Sequence, residues 1–568
     1  MEKGIDRRSF LVGGAAAGIM AMAGGALAGC ATGKADGADA ASGKTGMAQG
    51  EAKAEVARND RTAPIEPVAV PEKWDKEVDV VVVGAGGGGL NAASRACQEG
   101  LSCVVLEKLT QPGGNTQSAT MFTLPGGTAL QNEAQIALPE YPYDAVKWNE
   151  FIAKSYHNGY NPDMIKLIGE NIVPCFDWMT ETYGLEWQLG NGGTYATVAP
   201  VGMTVITEAA YRYATENGAE FLLGCEALAL VMDGERVVGV KAKAQDGSEI
   251  HLHGKKGVLL TGGGFAANKD LLAEYCPSAV RRAVSCYLTS TDSGECFRMG
   301  LGAGAMVSAR NSFAMFDGGM DWENHGGEWC RYLYDGSTQL VRQPWLSIDC
   351  AGRRMRYIPT KVGGALTDQA TVETSTPDNR AYVIFDSNWD EYLQTFGQKA
   401  CREPIQDGVA RQSYVPAYYQ DYHAGVQDAI DAGLIFVCDT LDELAEKLGL
   451  DAGVVKASVD DWNAMVASGH DDFVFPLEDE WLHPVDAPPY YGAKIGGNLF
   501  QSKTGLLINT KMQVLNTKGT VIPGLYAGWY TAASGIDDHL STMAASVGGV
   551  SNSYLGGFLA IGTIAEEE

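Results

Sequence analysis

The sequence predicts an α/β protein organised on a Rossmann-like parallel sheet, and three neighbouring features carry that expectation. Val78 to Val83 form a β-branched run suited to a strand covered on both faces. Gly84-Ala85-Gly86-Gly87-Gly88-Gly89 follows at once and opens a helical stretch from Leu90 to Glu99. A second apolar segment, Leu101 to Leu106, then ends in Glu107, about twenty residues past the turn.

The elements before this unit read as an export leader and a tether. Residues 6 to 11, Asp6-Arg7-Arg8-Ser9-Phe10-Leu11, precede an Ala/Gly-rich apolar run to Ala28, a twin-arginine signal pattern. A transmembrane helix is the other reading, but the run is short, rich in glycine and lacks a positive stop. Leu27-Ala28-Gly29-Cys30 resembles a lipobox, which implies a lipidated Cys30 at residues 1–30; the alternative is an incidental cysteine. Residues 31–73 hold few bulky apolar side chains and are expected to form a flexible linker.

Composition excludes several function classes. With 568 residues, 45% hydrophobic and 20% charged, the chain can bury a large core in two folded units behind its leader. A formal charge of -28 would repel a phosphate backbone or an anionic bilayer, so nucleic acid is not expected as a partner. Twelve cysteines occur without a C-x-x-C pair, which signals neither a zinc ribbon, a metal cluster nor covalent haem; no metal is expected.

The glycine turn fits a dinucleotide. Its glycines permit a tight bend and close approach of a pyrophosphate to free amides at a helix N-terminus, and Glu107 can accept hydrogen bonds from a ribose. Further segments then recur in order: Lys108, Gly113-Gly114-Asn115-Thr116, the GVLLTGGGF run from Gly257 to Phe265, Thr291-Asp292-Ser293-Gly294, and Ile522-Pro523-Gly524-Leu525-Tyr526-Ala527-Gly528. In these segments the chain resembles the FAD-dependent oxidoreductase 2 family, which includes the flavoprotein subunits of fumarate reductase and succinate dehydrogenase, urocanate reductases and 3-ketosteroid dehydrogenases. The resemblance implies a discontinuous, glutathione-reductase-like FAD-binding domain at 74–298 and 488–568, with an α+β capping domain inserted at 299–487. It implies FAD contacts at Gly84, Gly86, Gly87, Gly89, Glu107, Lys108, Gly114, Asn115, Thr116, Thr261, Gly262, Gly263, Asp292, Gly528 and Gly556. In the insert, Ala381 to Phe385 reads as a strand and Leu441 to Leu448 as a helix capped by Thr440.

The chain departs from the family's dicarboxylate-gripping residues. Ser553-Tyr554-Leu555-Gly556-Gly557 puts Tyr554 where fumarate-type members carry an arginine, and Gln501 takes a histidine position. Gly352 to Tyr357 resembles a G-x-R-F segment, but no proton-delivering arginine follows, and Lys361 is the nearest cation. Fumarate and succinate are therefore disfavoured. Tyr554 suits a neutral carbonyl, to whose developing oxyanion a hydroxyl can donate; it equally reads as a tyrosine packed at a helix end. Tyr357 and Arg354 are candidate site residues, with packing and a cap ion pair as their alternatives. The cluster Tyr414, Tyr418, Tyr419, Tyr422 and His423 suggests an aromatic pocket or ordinary packing, and His539 an acid-base group or a loop histidine. Phe122 replaces a small residue after the G-G-N turn, and Trp529 stands near a flavin-contacting glutamate position.

The expected activity is reduction of the C=C bond of an α,β-unsaturated carbonyl or related small molecule. A membrane quinol or cytochrome would supply electrons, since the chain carries no second nicotinamide fingerprint. A ketosteroid-type dehydrogenase running in the desaturating direction is the alternative, and a non-catalytic flavin-fold lipoprotein is an alternative of another class.

Overall fold

The computed structural model describes residues 61–567 except 120–121, 125–126, 134–160, 190–193, 198–202, 309–310, 331–335, 359–364, 401–404, 407–408, 411–421 and 534–548. From Pro64 to Glu568 the chain is one compact unit. Its larger sheet has nine strands, and the strand Lys76–Val83 lies at its centre, parallel to Cys103–Glu107 on one side and to Glu249–Leu260 on the other. Val80, Val81, Val82, Val104 and Val105 are wholly buried, as a strand covered on both faces requires. Each such side chain contributes roughly 1.5–3 kcal/mol of burial. Glu249–Leu260 serves two purposes: its first half pairs antiparallel with Arg236–Lys243, and its last residues pair parallel with Val521–Ala527. The segment from near the C-terminus thus returns to the sheet beside the glycine turn.

The tether expected to run to residue 73 stops short of that point. Ile65 donates its N–H to the Arg298 carbonyl at 3.0 Å and packs on the main core, and Val68–Ala69 adds an edge strand to the large sheet. Ile65, Val68 and Ala69 thus hold the backbone there.

A second, six-stranded sheet carries the other core. It is organised on Tyr490–Ser502, a strand of 13 residues that pairs with Ala283–Cys286, Phe313–Gly319, Ala381–Phe385 and Ile435–Cys438. The sequence boundaries at 298 and 488 assign Ala283–Cys286 and Tyr490–Ser502 to the FAD-binding part, whereas both belong to this second sheet. The long strand spans both cores: Ala493 and Ile495 pack in one, Leu499 in the other. The helix Leu441–Leu448 covers this sheet, and Thr440 caps it by accepting from the Glu443 amide at 3.2 Å.

Candidate active site

The glycine turn is shaped by contacts that no side chain could occupy. Gly84 adopts φ +102°, and a Cβ there would stand 2.7 Å from the Thr261 carbonyl oxygen. A Cβ on Gly89 would lie 1.9 Å from the Gly84 oxygen, so helix Gly87–Gln98 meets the strand end without intervening atoms. The C-terminal helix Gly549–Glu566 crosses it equally closely, since a Cβ on Gly557 would fall 1.9 Å from the Gly88 oxygen. Thr261 ties the turn down by donating its hydroxyl to the carbonyls of Val83 and Gly84.

A cavity of about 250 Å³ opens over this turn. Glu107 lines it, nearly buried, with one carboxylate oxygen accepting from Ala85 N–H at 2.8 Å and the other from Leu109 N–H at 2.9 Å. Each oxygen keeps a lone pair for a ribose hydroxyl. Thr116 and Ser553, also in the lining, accept from the Gly87 and Gly88 amides at 3.0 and 3.1 Å. Each hydroxyl retains its own O–H, so the donor capacity of the helix N-terminus is relayed outward to an anion. Lys108 is held by Glu295 at 3.1 Å and Ser293 at 3.0 Å. Burial pushes the Glu295 carboxyl up, but Lys108 and the Ser293 hydroxyl outweigh it and hold its pKa below the ordinary value. Asn115 accepts from the amide and hydroxyl of Thr289 at 2.9 and 2.8 Å. Asp292 is buried, and its two oxygens take the amides of Gly264 and Ala266; burial still raises its pKa to about 6. It therefore organises the Gly262–Ala266 turn.

Gly84, Gly86, Glu107, Lys108, Gly114, Asn115, Thr116, Thr261, Gly262, Gly263 and Asp292 all line the cavity. Gly87, Gly89, Gly528 and Gly556 do not, and act beneath it: Gly528 and Gly556 pack where the C-terminal helix meets the end of strand Val521–Ala527. The residues fit FAD. The cradle leaves no room for a Cβ at Gly84, Gly89 or Gly557, a buried carboxylate and two relayed donors face it, and the indole N–H of Trp529, 2% exposed and in the lining, has no partner among the described residues.

Beyond the turn the wall is aromatic. Tyr287, Phe316 and Phe500 form a mutual cluster, with Phe316 and Phe500 4.4 Å apart and each 5.7 Å from Tyr287. Gln501 follows Phe500 on the long strand and also lines the cavity. The Tyr530 hydroxyl lies 3.0 Å and the Gln501 amide oxygen 3.3 Å from the point where a Gly549 Cβ would sit, so the absent side chain leaves both groups facing one space. Sequence reasoning named Gln501 but missed Tyr530 and the three aromatic residues; the signal for Tyr530 was its place two residues after Gly528.

The remaining candidates lie elsewhere. Tyr554 is fully buried, and its ring would touch a Cβ on Gly87 at 2.9 Å and lies 6.0 Å from Phe122. Its hydroxyl has no partner and it does not line the cavity. On a helix one residue turns the side chain by about 100°, so Ser553 faces the cavity while Tyr554 enters the seam between two helices. Phe122 packs in that seam against Phe176 and Trp187. Arg354 makes a two-pronged ion pair with Asp471 at 2.7 and 2.6 Å and lies over Trp462 and Phe473, and Tyr357 packs edge-on to Trp481. Both belong to the second core rather than to the cavity. His423 is a half-exposed residue 3.3 Å from Asp390. Cys30, Lys361, Tyr414, Tyr418, Tyr419 and His539 fall outside the described residues, as does the side chain of Tyr422.

A family model described as an FAD-binding domain matches residues 79–537. The chain is 26% identical over 474 residues to urocanate reductase of Eggerthella lenta, covering 80% of this chain and 70% of that one. It is 25% identical over 472 residues to NADH:fumarate oxidoreductase of Klebsiella pneumoniae, covering 80% of this chain but only 44% of that relative. Among solved structures, a flavocytochrome c3 fumarate reductase in its open conformation matches with TM-score 0.63 at 20% identity, over 87% of this chain and 79% of that chain. The 3-ketosteroid delta1-dehydrogenase of Sterolibacterium denitrificans matches with TM-score 0.67 at 17% identity, over 87% and 100% of the respective chains. These two likenesses establish a shared fold. Cradle, carboxylate and family match converge: the chain belongs to the FAD-binding-domain family, takes FAD as its cofactor and is an FAD-dependent oxidoreductase.

Proposed function

We propose that this protein reduces the C=C bond of a neutral, apolar α,β-unsaturated carbonyl compound. The observation that carries the reading is the cavity wall of Tyr287, Phe316 and Phe500, combined with its charge. Among the described lining residues Lys108 is the single cation and is paired with Glu295, while Glu107, Glu226 and Asp292 are further acids. A dicarboxylate would need guanidinium or imidazole partners to offset its desolvation. A ring or alkyl body with one carbonyl needs apolar contact and one donor.

Glu107, Thr116, Ser553 and the glycine turn would hold FAD, which would supply hydride chemistry when bound. The aromatic trio holds the substrate body and excludes water from it. Tyr530 donates its hydroxyl to the carbonyl oxygen as negative charge develops there, the role that sequence reasoning gave to Tyr554. Burial pushes the Tyr530 pKa far above its ordinary value, so the hydroxyl remains a donor throughout the working pH range. Gln501 faces the same space beside Gly549 and orients the substrate there.

The leader supports an extracytoplasmic location through the twin-arginine route with an anchor at Cys30, and electrons from a membrane quinol or cytochrome suit that location. Among the described residues no helix is long and apolar enough to cross a membrane. The test is an anaerobic acceptor screen. Dithionite-reduced holoprotein should regain its yellow colour with neutral enones; failure with every enone, with reoxidation by fumarate alone, overturns the reading.

A further inference from the structure

Cys286 ends the strand Ala283–Cys286, and Cys330 stands beside it as its partner in a parallel bridge. The Cys286 N–H donates to the Trp329 carbonyl at 2.7 Å, which fixes the two backbones at sheet spacing. Adjacent strands lie roughly 4.7–4.9 Å apart, within the roughly 4.4–6.8 Å Cα separation that a disulfide accepts. Both side chains are free thiols; Cys286 is buried and Cys330 is partly exposed. The neighbouring Cys286 thiol holds the Cys330 pKa below the ordinary thiol value, while burial pushes Cys286 well up. The arrangement is an accessible, activated sulfur backed by a buried one. Cys103, Cys175 and Cys296, by contrast, are fully buried with raised pKa values.

The pair sits at a junction of the cofactor site. Tyr287 and Leu288, directly after Cys286, wall the cavity, and Thr289 holds Asn115. On the other strand Trp329 donates its indole N–H to the Ala266 carbonyl at 3.3 Å and stacks under Lys269 at 4.5 Å. The Trp329 segment therefore leans on the turn that Asp292 organises, and the Tyr287–Thr289 segment on the Asn115 turn.

We propose that Cys286 and Cys330 form a redox-modification site that reacts with a disulfide oxidant and closes to an intramolecular disulfide, pinning the 327–330 segment to the strand that carries Tyr287. The Cys330 thiolate attacks one sulfur of the oxidant, forming a mixed disulfide and releasing the first thiol. Cys286 loses its proton and attacks the Cys330 sulfur, releasing the second thiol. Two protein thiols lose two electrons and two protons in all, and the oxidant's disulfide is reduced to two thiols.

The test equilibrates holoprotein with oxidised glutathione, denatures it, alkylates remaining thiols with iodoacetamide and maps peptides without reduction. The expected result is one cross-linked pair joining Cys286 to Cys330, with both positions lost to alkylation. Cys286→Ser should stop at a glutathione adduct on Cys330, and Cys330→Ser should leave Cys286 fully alkylatable. The thermal midpoint should rise on oxidation of the unsubstituted protein and not of Cys330→Ser. Full alkylation of both cysteines after equilibration, a persistent Cys330 adduct without the cross-link, or an adduct at Cys286 in Cys330→Ser would each overturn the proposal.

Discussion

The two sides of the cavity are built on different physical terms. At the cradle the backbone itself is the ligand-facing surface: Gly84, Gly89 and Gly557 bring helix, strand and turn together where no Cβ fits, and one carboxylate is locked by two amides. At the opposite wall the surface is side chain, an aromatic cluster on strands of the second sheet with one tyrosine hydroxyl across from it. The first kind of site tolerates almost no change and is common to proteins with many substrates. The second can be re-cut residue by residue, which is where substrate choice resides.

The largest effect should come from violating the cradle. Gly557→Ala forces a Cβ onto the Gly88 carbonyl and should cost about 3 kcal/mol with loss of bound flavin. Gly562→Ala in the same helix meets nothing within 4 Å and should be neutral or stabilising. Thermal melts of the two variants with flavin absorbance read the contrast. Next is the pH dependence of Asp292. Its pKa is raised by burial from 3.8 to about 6, so the proton is held more tightly in the folded state. Its contribution is full below 3.8 and is lost as pH rises through about 6, by up to about 3 kcal/mol. Asp292→Asn should flatten that part of the midpoint-versus-pH curve.

Predictions for the second wall act on rate and affinity. Tyr530→Phe should slow reoxidation of the reduced protein by an enone about 100-fold, with the thermal midpoint nearly unchanged. Arg354→Gln should do the reverse, lowering stability by about 2 kcal/mol by removing the guanidinium partner of the Asp471 carboxylate while leaving single-turnover reoxidation intact. Phe500→Ala should weaken acceptor binding about tenfold, read as a higher half-saturation concentration at constant limiting rate.

How much of each side was legible in the sequence follows from the same contrast. The part of the cradle from Lys76 to Glu107 is local, one strand, turn, helix and strand, and its spacing alone places the carboxylate under the turn. The strands Ala381–Phe385 and the Thr440-capped helix were legible for the same reason, since period and cap are short-range signals. In the second wall Tyr287, Phe316 and Phe500 come together through the pairing of Tyr490–Ser502 with Ala283–Cys286 and Phe313–Gly319, and Tyr530 follows Val521–Ala527 of the larger sheet. No spacing rule reveals that. Tyr554 illustrates the limit: the motif that contains it reaches the site, yet helical rotation gives the cavity to Ser553 and buries its neighbour. Arg354 was equally ambiguous until Asp471, more than a hundred residues away, appeared beside it.

The central claim, that the aromatic wall selects a neutral acceptor, is tested most directly by anaerobic stopped-flow reoxidation of reduced holoprotein with a matched pair: an enone and the α,β-unsaturated carboxylate of the same carbon skeleton. The enone should reoxidise the flavin at least about tenfold faster at equal concentration, a difference of about 1.4 kcal/mol. A carboxylate that reacts as fast as or faster than its ketone partner would contradict it.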